Sequence, residues 1–205
     1  MHNNRIIICD VEATCWRRPE EALPTDEPQG AQPNEVIEIG ACELDTRTGV
    51  ISNKTSIVIQ PKYSKVSAFC TELTGWTQAD VDGGRQMFDA LRKFDDIFQP
   101  KSNDIWASYG AYDRNMLAST GKGSIGILYG IRDNQNPFEW MRTHLNIKTL
   151  FSLRHHPKRE VGMAKALNIL KLPLAGRHHN GADDAMNIAE IAKHTLFSGN
   201  SWDPK

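Results

Sequence analysis

Four consecutive apolar residues, Ile6 to Cys9, stand between Arg5 and Asp10. An uninterrupted apolar run of that length marks a strand covered on both faces, so residues 5–10 are read as a central strand. Residues 16–34 follow with Pro19, Pro24, Pro28, Pro33 and Gly30 among acids, which excludes a helix and predicts a long loop. Residues 35–44 and 55–60 read as strands, and Asp45-Thr46-Arg47-Thr48-Gly49 supplies turn chemistry between them, so the three strands should form an antiparallel meander. From 85 to 98 the period changes, because Met87, Phe88, Leu91, Phe94 and Phe98 recur at helical spacing. A fourth strand is expected at 104–108, a helix opening at Asp113 and running towards 119, an irregular Gly-rich stretch at 121–137 and a short fifth strand at 146–149. Helices are expected at 161–170, stopped before Pro173, and at 181–196. Strands first, then strands alternating with helices, predict an α/β domain with a mixed sheet and helices packed on it. No repeat or composition break divides the chain, so 1–205 reads as one domain with its core at about 5–197.

The chemistry begins where the first strand ends. Asp10 and Glu12 are two residues apart, and side chains on a strand alternate faces, so both carboxylates project the same way. Acids at the edge of an apolar core are costly unless a positive charge compensates them, and hard oxygen ligands suit Mg²⁺ or Mn²⁺. Asp113 lies at a helix start after the fourth strand, where the helix dipole favours a carboxylate. Far downstream, GRHHNGADDAMNIAEIA offers two histidines and two acids before a helix. His178 to Asp183 and His179 to Asp184 have the same spacing, so spacing does not choose between them. Helical phase does: Asp183 shares its face with Asn187, Glu190 and His194, whereas Asp184 shares its face with Ile188, Ile191 and Ala192. Asp184 should therefore point towards the sheet and Asp183 towards water, with His179 just outside the helix as a base.

Together, Asp10-x-Glu12, Asp113 and His179 with Asp184 five residues on resemble the three exonuclease motifs of the DEDDh 3′-to-5′ exonucleases. DVEATCW, FCTELTGWTQADVD, Gly110-x-Tyr112-Asp113 and GRHHNGADDAMNIAEIA resemble the Eri-type exoribonuclease branch, over about residues 5–196. The resemblance implies an RNase H-like exonuclease fold with a mixed five-stranded sheet and flanking helices. It also implies 3′-to-5′ hydrolysis of single-stranded nucleic acid, RNA rather than DNA, to nucleoside 5′-monophosphates by two divalent cations, Mg²⁺ or Mn²⁺. Asp10, Glu12, Asp113 and Asp184 are then the metal ligands and His179 the general base, with Phe69, Tyr112, Ala13 and Thr14 around the terminal nucleotide. A DNA-directed exonuclease of proofreading or repair type is the alternative within the enzyme class, and a catalytically silent RNA-binding module the alternative outside it. The chain departs from the pattern in the proline-rich loop 16–34 and the Gly-rich loop 121–137, whose effects on substrate choice the motifs do not reveal.

Composition sharpens this picture only in places. The net charge of −1 is neutral on the question of nucleic acid, but residues 1–50 hold ten Asp/Glu against four Lys/Arg, whereas residues 141–179 hold eight Lys/Arg against Glu160 alone. That basic segment would track a phosphate backbone if it borders the acidic site. No apolar run is long enough to span a membrane or to form a signal-peptide core, which predicts a cytoplasmic protein. Cys9, Cys15, Cys42 and Cys70 form no C-x-x-C pair and are expected as buried free thiols. Gly121-x-Gly123-x-x-Gly126 spells a dinucleotide fingerprint, yet it follows a helix instead of a strand and is set aside. The His155-His156 pair lacks a third spaced ligand and is assigned to the basic face.

Overall fold

The computed structural model describes residues 4–101, 103–121 and 143–197. The described chain runs β1 (Arg5–Ala13), β2 (Val36–Asp45), β3 (Ile51–Val58), α1 (Ala68–Thr74), α2 (Gln78–Asp82), α3 (Met87–Phe98), β4 (Ile105–Ser108) and α4 (Tyr112–Gly121). It continues with β5 (Thr143–Asn146), α5 (Ile147–His155), α6 (Met163–Leu170) and α7 (Gly181–Phe197). The five strands form one sheet in the order β3-β2-β1-β4-β5. β1, β2 and β3 are antiparallel neighbours, and β4 and β5 lie parallel to β1. This is the mixed five-stranded sheet with flanking helices expected of an RNase H-like exonuclease, with the Asp10 strand at its centre.

Strand alternation divides the core in two. Ile7, Cys9 and Val11 face α3 and α4, where Met87, Ala90, Leu91, Phe94, Phe98 and Leu117 are buried. Ile6 and Ile8 face the other layer, made by Ile147 and Phe151 of α5, Ala166 and Leu167 of α6, and Ala185, Ile188 and Ile191 of α7. Each fully buried side chain of this size contributes about 1.5–3 kcal/mol. Asp10 and Glu12 continue the even-numbered series of Ile6 and Ile8, so the pleat that builds the second layer also aims both acids at α7.

The structure departs from the local sequence pattern in three places. The third strand was expected at 55–60, but β3 begins at Ile51. It is an edge strand whose Ser52, Asn53 and Lys54 face solvent, so the apolar alternation that marks a strand is missing from its first half. The expected strand at 146–149 is one turn too late: β5 ends at Asn146, whose side chain accepts from Thr149 N at 3.2 Å and caps α5. Ile147 and Phe151 are buried four residues apart, a helical signature that so short a window hid. α1 and α2 were not anticipated, although each is announced by a cap. Ser67 Oγ accepts from Cys70 N at 3.0 Å, Gly75 ends α1 at φ 85°, and Thr77 with Asp80 forms a capping box. The loop 16–34 is a loop as expected, apart from a single 3₁₀ turn at Pro19–Glu21, and Arg17 ties it down by donating to Asp26 at 2.9 Å and to Glu72 at 2.8 Å. Most of the Gly-rich stretch 121–137, with its G-x-G-x-x-G sequence, lies outside the described residues. No helix among the described residues is long and apolar enough to cross a membrane.

Candidate active site

β1 and β4 run parallel, so their C-terminal ends open at the same edge of the sheet, where ligand crevices of such sheets form. β1 delivers Asp10 and Glu12 there. After β4 the chain turns through Gly110, at φ 115°, into α4, whose second residue is Asp113. Asp113 is 4% exposed, and its Oδ1 accepts from Val11 N at 3.0 Å, which locks α4 onto β1.

The fourth acid arrives by a close backbone approach. The first turn of α7 rests directly on β2, where a Cβ on Gly40 would lie 1.8 Å from the carbonyl carbon of Gly181. A Cβ on Gly181 would itself come within 3.0 Å of the Asp10 carbonyl oxygen. Two glycines facing each other therefore bring the α7 N-terminus to the acids. Glu38, paired with Glu12 across β1 and β2, fastens it: its Oε2 accepts from Gly181 N at 2.9 Å and from Trp76 Nε1 at 2.8 Å, and its Oε1 accepts from Ser56 Oγ at 2.6 Å. A carboxylate at that position also complements the helix dipole. Glu38 was not anticipated, although an acid interrupting the apolar run Val36, Ile37, Ile39 was the signal that could have found it.

Asp184 is 4% exposed and faces the cleft as its helical phase predicts. Asp183 departs from the expectation of a water-facing acid. Its side chain is only 17% exposed, it pairs with Lys54, and its Oδ2 accepts from Arg177 N at 2.7 Å, so it anchors the loop that precedes α7. That loop carries both histidines. His179 adopts φ 62° and donates from its backbone N to Asp184 Oδ2 at 2.9 Å. His178 is more exposed, its ring stacks on that of His179 with centroids 4.0 Å apart, and its Nε2 lies 4.0 Å from Asp184 Oδ2.

Asp10, Glu12 and Asp184 each offer a carboxylate oxygen within 4.8 Å of the others, and Asp113 lines the same cleft of about 320 Å³. Burial drives the Asp10 carboxyl well above its ordinary range, reinforced by the charges of Asp113, Glu12, Asp184 and Glu38. Burial, then Glu38, Asp184 and Asp113, push Glu12 up to about 8. Asp113 and Asp184 are also raised by burial, against the lowering effect of the N–H groups of Val11 and His179. Asp184 Oδ1 is buried with no hydrogen-bond partner. An oxygen-only donor set, an orphaned buried carboxylate oxygen and a surplus of negative charge fit a hard divalent cation.

Glu12, raised from 4.5 to about 8, holds its proton in the folded protein over a range where the unfolded chain has lost it. The metal-free protein should therefore be most stable below pH 4.5 with respect to this group and lose on the order of a few kcal/mol as pH rises towards 8. Thermal unfolding in EDTA across this window should show a falling Tm, and added Mg²⁺ or Mn²⁺ should raise Tm more at the alkaline end. A cation effect independent of pH would contradict the charge surplus.

Of the residues expected around a terminal nucleotide, Tyr112 and Ala13 line the cleft. Thr14 does not: it is fully buried, its Oγ1 accepts from Glu35 N at 2.9 Å and bonds Ser64 Oγ at 2.9 Å, and its backbone N donates to Glu35 O. Phe69 is half-buried outside the cleft lining, with the Arg17 guanidinium 4.5 Å above its ring. Leu73, Cys15, Tyr109 and Met163 complete the walls and were not anticipated. Met163 opens α6, and Tyr109 donates from its hydroxyl to Val161 O at 3.0 Å, so the 141–179 segment reaches the cleft through Met163, His178 and His179, while none of its eight Lys/Arg residues lines it. His155 packs on Phe151 at the end of α5 and takes no part in the cleft.

Known proteins resemble this chain in sequence and in fold. Residues 7–192 match the RNase_T exonuclease family. Human ERI1 exoribonuclease 3 is 28% identical over 200 residues, covering 94% of this chain and 54% of the relative, so the chain spans about half the length of that protein. The 3′-5′ exonuclease Snipper of Drosophila melanogaster is 26% identical, covering 91% of this chain and 67% of the relative. Among solved structures, the nuclease domain of 3′hExo, a DEDDh family member bound to rAMP, superposes with a TM-score of 0.76 at 24% identity, covering 96% of this chain and 93% of that one. With the acids of β1, α4 and α7 converging as the motif order requires, the chain belongs to the RNase_T exonuclease family.

Proposed function

We propose that this chain is a 3′-to-5′ exoribonuclease domain, with its core at about 5–197, which removes nucleoside 5′-monophosphates from the 3′ end of single-stranded RNA. The observation that carries the reading is the convergence of four crowded, mutually repelling carboxylates, three buried and Asp10 half-buried, with a histidine at the mouth of one cleft. The names of the exoribonuclease relatives and the adenosine monophosphate held by 3′hExo support RNA as the polymer. Four free thiols suit a reducing compartment such as the cytoplasm.

Asp10, Glu12 and Asp184, with Asp113 beside them, would hold two divalent cations, Mg²⁺ or Mn²⁺. When bound, such cations lower the pKa of water and stabilise charge on the attacking and leaving oxygens of an in-line displacement. The chain's own contribution is proton transfer and placement. Burial, aided by the neighbouring His178 and Arg177, lowers the His179 pKa. Its ring is therefore neutral at physiological pH and free to accept the proton of the attacking water. The bond from its backbone to Asp184 fixes that ring beside the acids.

Tyr112, 54% exposed at the rim, presents a ring face on which any terminal base can stack. Such stacking contributes about 1–3 kcal/mol per base without reading sequence. Tyr112→Ala should raise KM for oligonucleotides several-fold, equally for all four 3′ bases, with Tm nearly unchanged because the side chain is exposed. Phe69→Ala should weaken binding less, since Arg17 already covers its ring. A large fall in Tm with unchanged KM for Tyr112→Ala would return that residue to a packing role.

The test of the function is incubation of the pure protein with 5′-labelled and 3′-labelled RNA and DNA of matched sequence, with Mg²⁺ or Mn²⁺. Stepwise shortening of 5′-labelled RNA with immediate release of a labelled mononucleotide from the 3′ end is expected. Equal rates on DNA would reduce the assignment to a general 3′ exonuclease, and internal cleavage would overturn it.

A further inference from the structure

Two free thiols meet on the wall of the cleft. Cys15 follows the end of β1, is half-buried and lines the cleft, whereas Cys70 is fully buried on α1. Both side chains pack in a small core with Ile37 and Val81. One serine pins both backbones: Ser67 Oγ donates to Cys15 O at 2.6 Å and accepts from Cys70 N at 3.0 Å. The Cys70 Sγ lies 3.6 Å from Ala13 O, to which it donates. The two cysteines are thus held side by side by groups that do not depend on a bond between their sulfurs. Cys15 beside it lowers the Cys70 thiol to about 7 while Cys70 and burial raise the Cys15 thiol, so the pair shares one readily lost proton. Cys9 and Cys42 differ: both are fully buried, neither lines the cleft, and burial raises both thiols.

We propose that Cys15 and Cys70 form a reversible redox pair, which a hydroperoxide entering the cleft oxidises to a disulfide that lowers nuclease activity. The effect on activity rests on the exonuclease reading; the bond itself does not. The Cys15 sulfur attacks the peroxide, the O–O bond breaks, and an alcohol or water leaves with one thiol proton, giving a sulfenic acid. The Cys70 sulfur then displaces the hydroxyl, which departs as water with the second proton. Two thiols are oxidised by two electrons and the peroxide is reduced by two. The new S–S bond must be far shorter than a thiol contact, about 2.05 Å. Forming it removes the bond from Cys70 to Ala13 O and draws β1 and α1 together. Ala13 adjoins Glu12, and Leu73, one turn beyond Cys70, lines the cleft. A displacement of about 1 Å among reacting groups costs up to about 10²-fold in rate.

Reduced wild-type protein treated with hydrogen peroxide should lose the mass of two hydrogens and yield a peptide pair joining Cys15 to Cys70. RNA hydrolysis should fall by about 10-fold to 10²-fold, and dithiothreitol should reverse both changes. Cys70→Ala should keep its basal activity and become insensitive to peroxide; if it folds poorly, Cys70→Ser and the dithiothreitol reversal in wild type carry the same comparison. A missing cross-link, a cross-linked protein with full activity, or a Cys70→Ala protein as peroxide-sensitive as wild type would overturn the proposal. The mass readout is independent of hydrolysis. A reduced protein inert on every substrate therefore counts against the nuclease reading, and an absent cross-link against the redox pair.

Discussion

Asp10→Asn, Glu12→Gln and Asp184→Asn are each expected to cut RNA hydrolysis by at least roughly 10³-fold, because losing even one preorganised electrostatic group at a reacting centre costs about 10²–10³. Each substitution keeps side-chain volume and removes one negative charge. The acids also repel one another in a buried cluster, and burial and repulsion together raise the pKa of Asp10 and Glu12. Relieving that repulsion should leave the metal-free Tm unchanged or higher, while the stabilisation conferred by Mn²⁺ should shrink. Lost activity with intact or improved stability is a combination that a damaged fold does not produce, and unfolding curves with and without Mn²⁺ beside single-turnover assays would read it. Near-wild-type activity in any of the three would remove that residue from the metal centre. Asp183→Asn is the control: Asn retains an oxygen for Arg177 N but loses the charge that pairs Lys54, so most activity should remain with a modest drop in Tm. If Asp183→Asn silences the protein and Asp184→Asn does not, the helical phase assigned to α7 is wrong.

His179→Ala should lower kcat by roughly 10²–10⁴, the usual contribution of a positioned general base, with KM little changed. The pH profile separates proton transfer from packing. A base must be unprotonated, so wild-type kcat should fall on the acid side through the His179 pKa, which lies below 6.5 because burial and the charges of His178 and Arg177 disfavour the imidazolium. The variant should lose that acid limb while its overall rate drops. His178→Ala should matter far less. Its exposed ring stacks on His179 and faces Asp184 only at 4.0 Å, so it acts at most on the orientation of its neighbour. A reversal of the two effects would place the base at the first histidine of the pair.

The elements that sequence patterns read well are those whose periodicity is set by complete burial. β1, α3, α6 and α7 each pack a full apolar face into one of the two main core layers, so their spacing repeats over enough residues to be seen. β3 and β5 lie at the sheet edges, where one side is exposed and the apolar alternation weakens. α1 and α2 are seven and five residues long and announce themselves through caps instead of periodicity. Of the candidate site, Asp10, Glu12, Asp113, His179 and Asp184 all reached one cleft from the motif reading. Thr14 did not, because its backbone and hydroxyl are consumed in closing the 16–34 loop against Glu35 and Ser64.

Sequence alone determined which acids share a face, through the two-residue period of β1 and the phase of α7, because those are properties of local backbone geometry. It also determined the motif order that marks the family. Only the tertiary structure decided how near the acids come to one another, since that distance depends on the two facing glycines, Gly40 and Gly181, 141 residues apart in sequence and adjoining across β2 and α7. It alone revealed that Glu38 fastens α7 over the acids, that Asp183 holds the histidine loop, and that Cys15 meets Cys70. Each is a contact between segments remote along the chain. No local pattern records which remote partner a buried carboxylate or thiol will meet, because packing selects that partner and propensity does not.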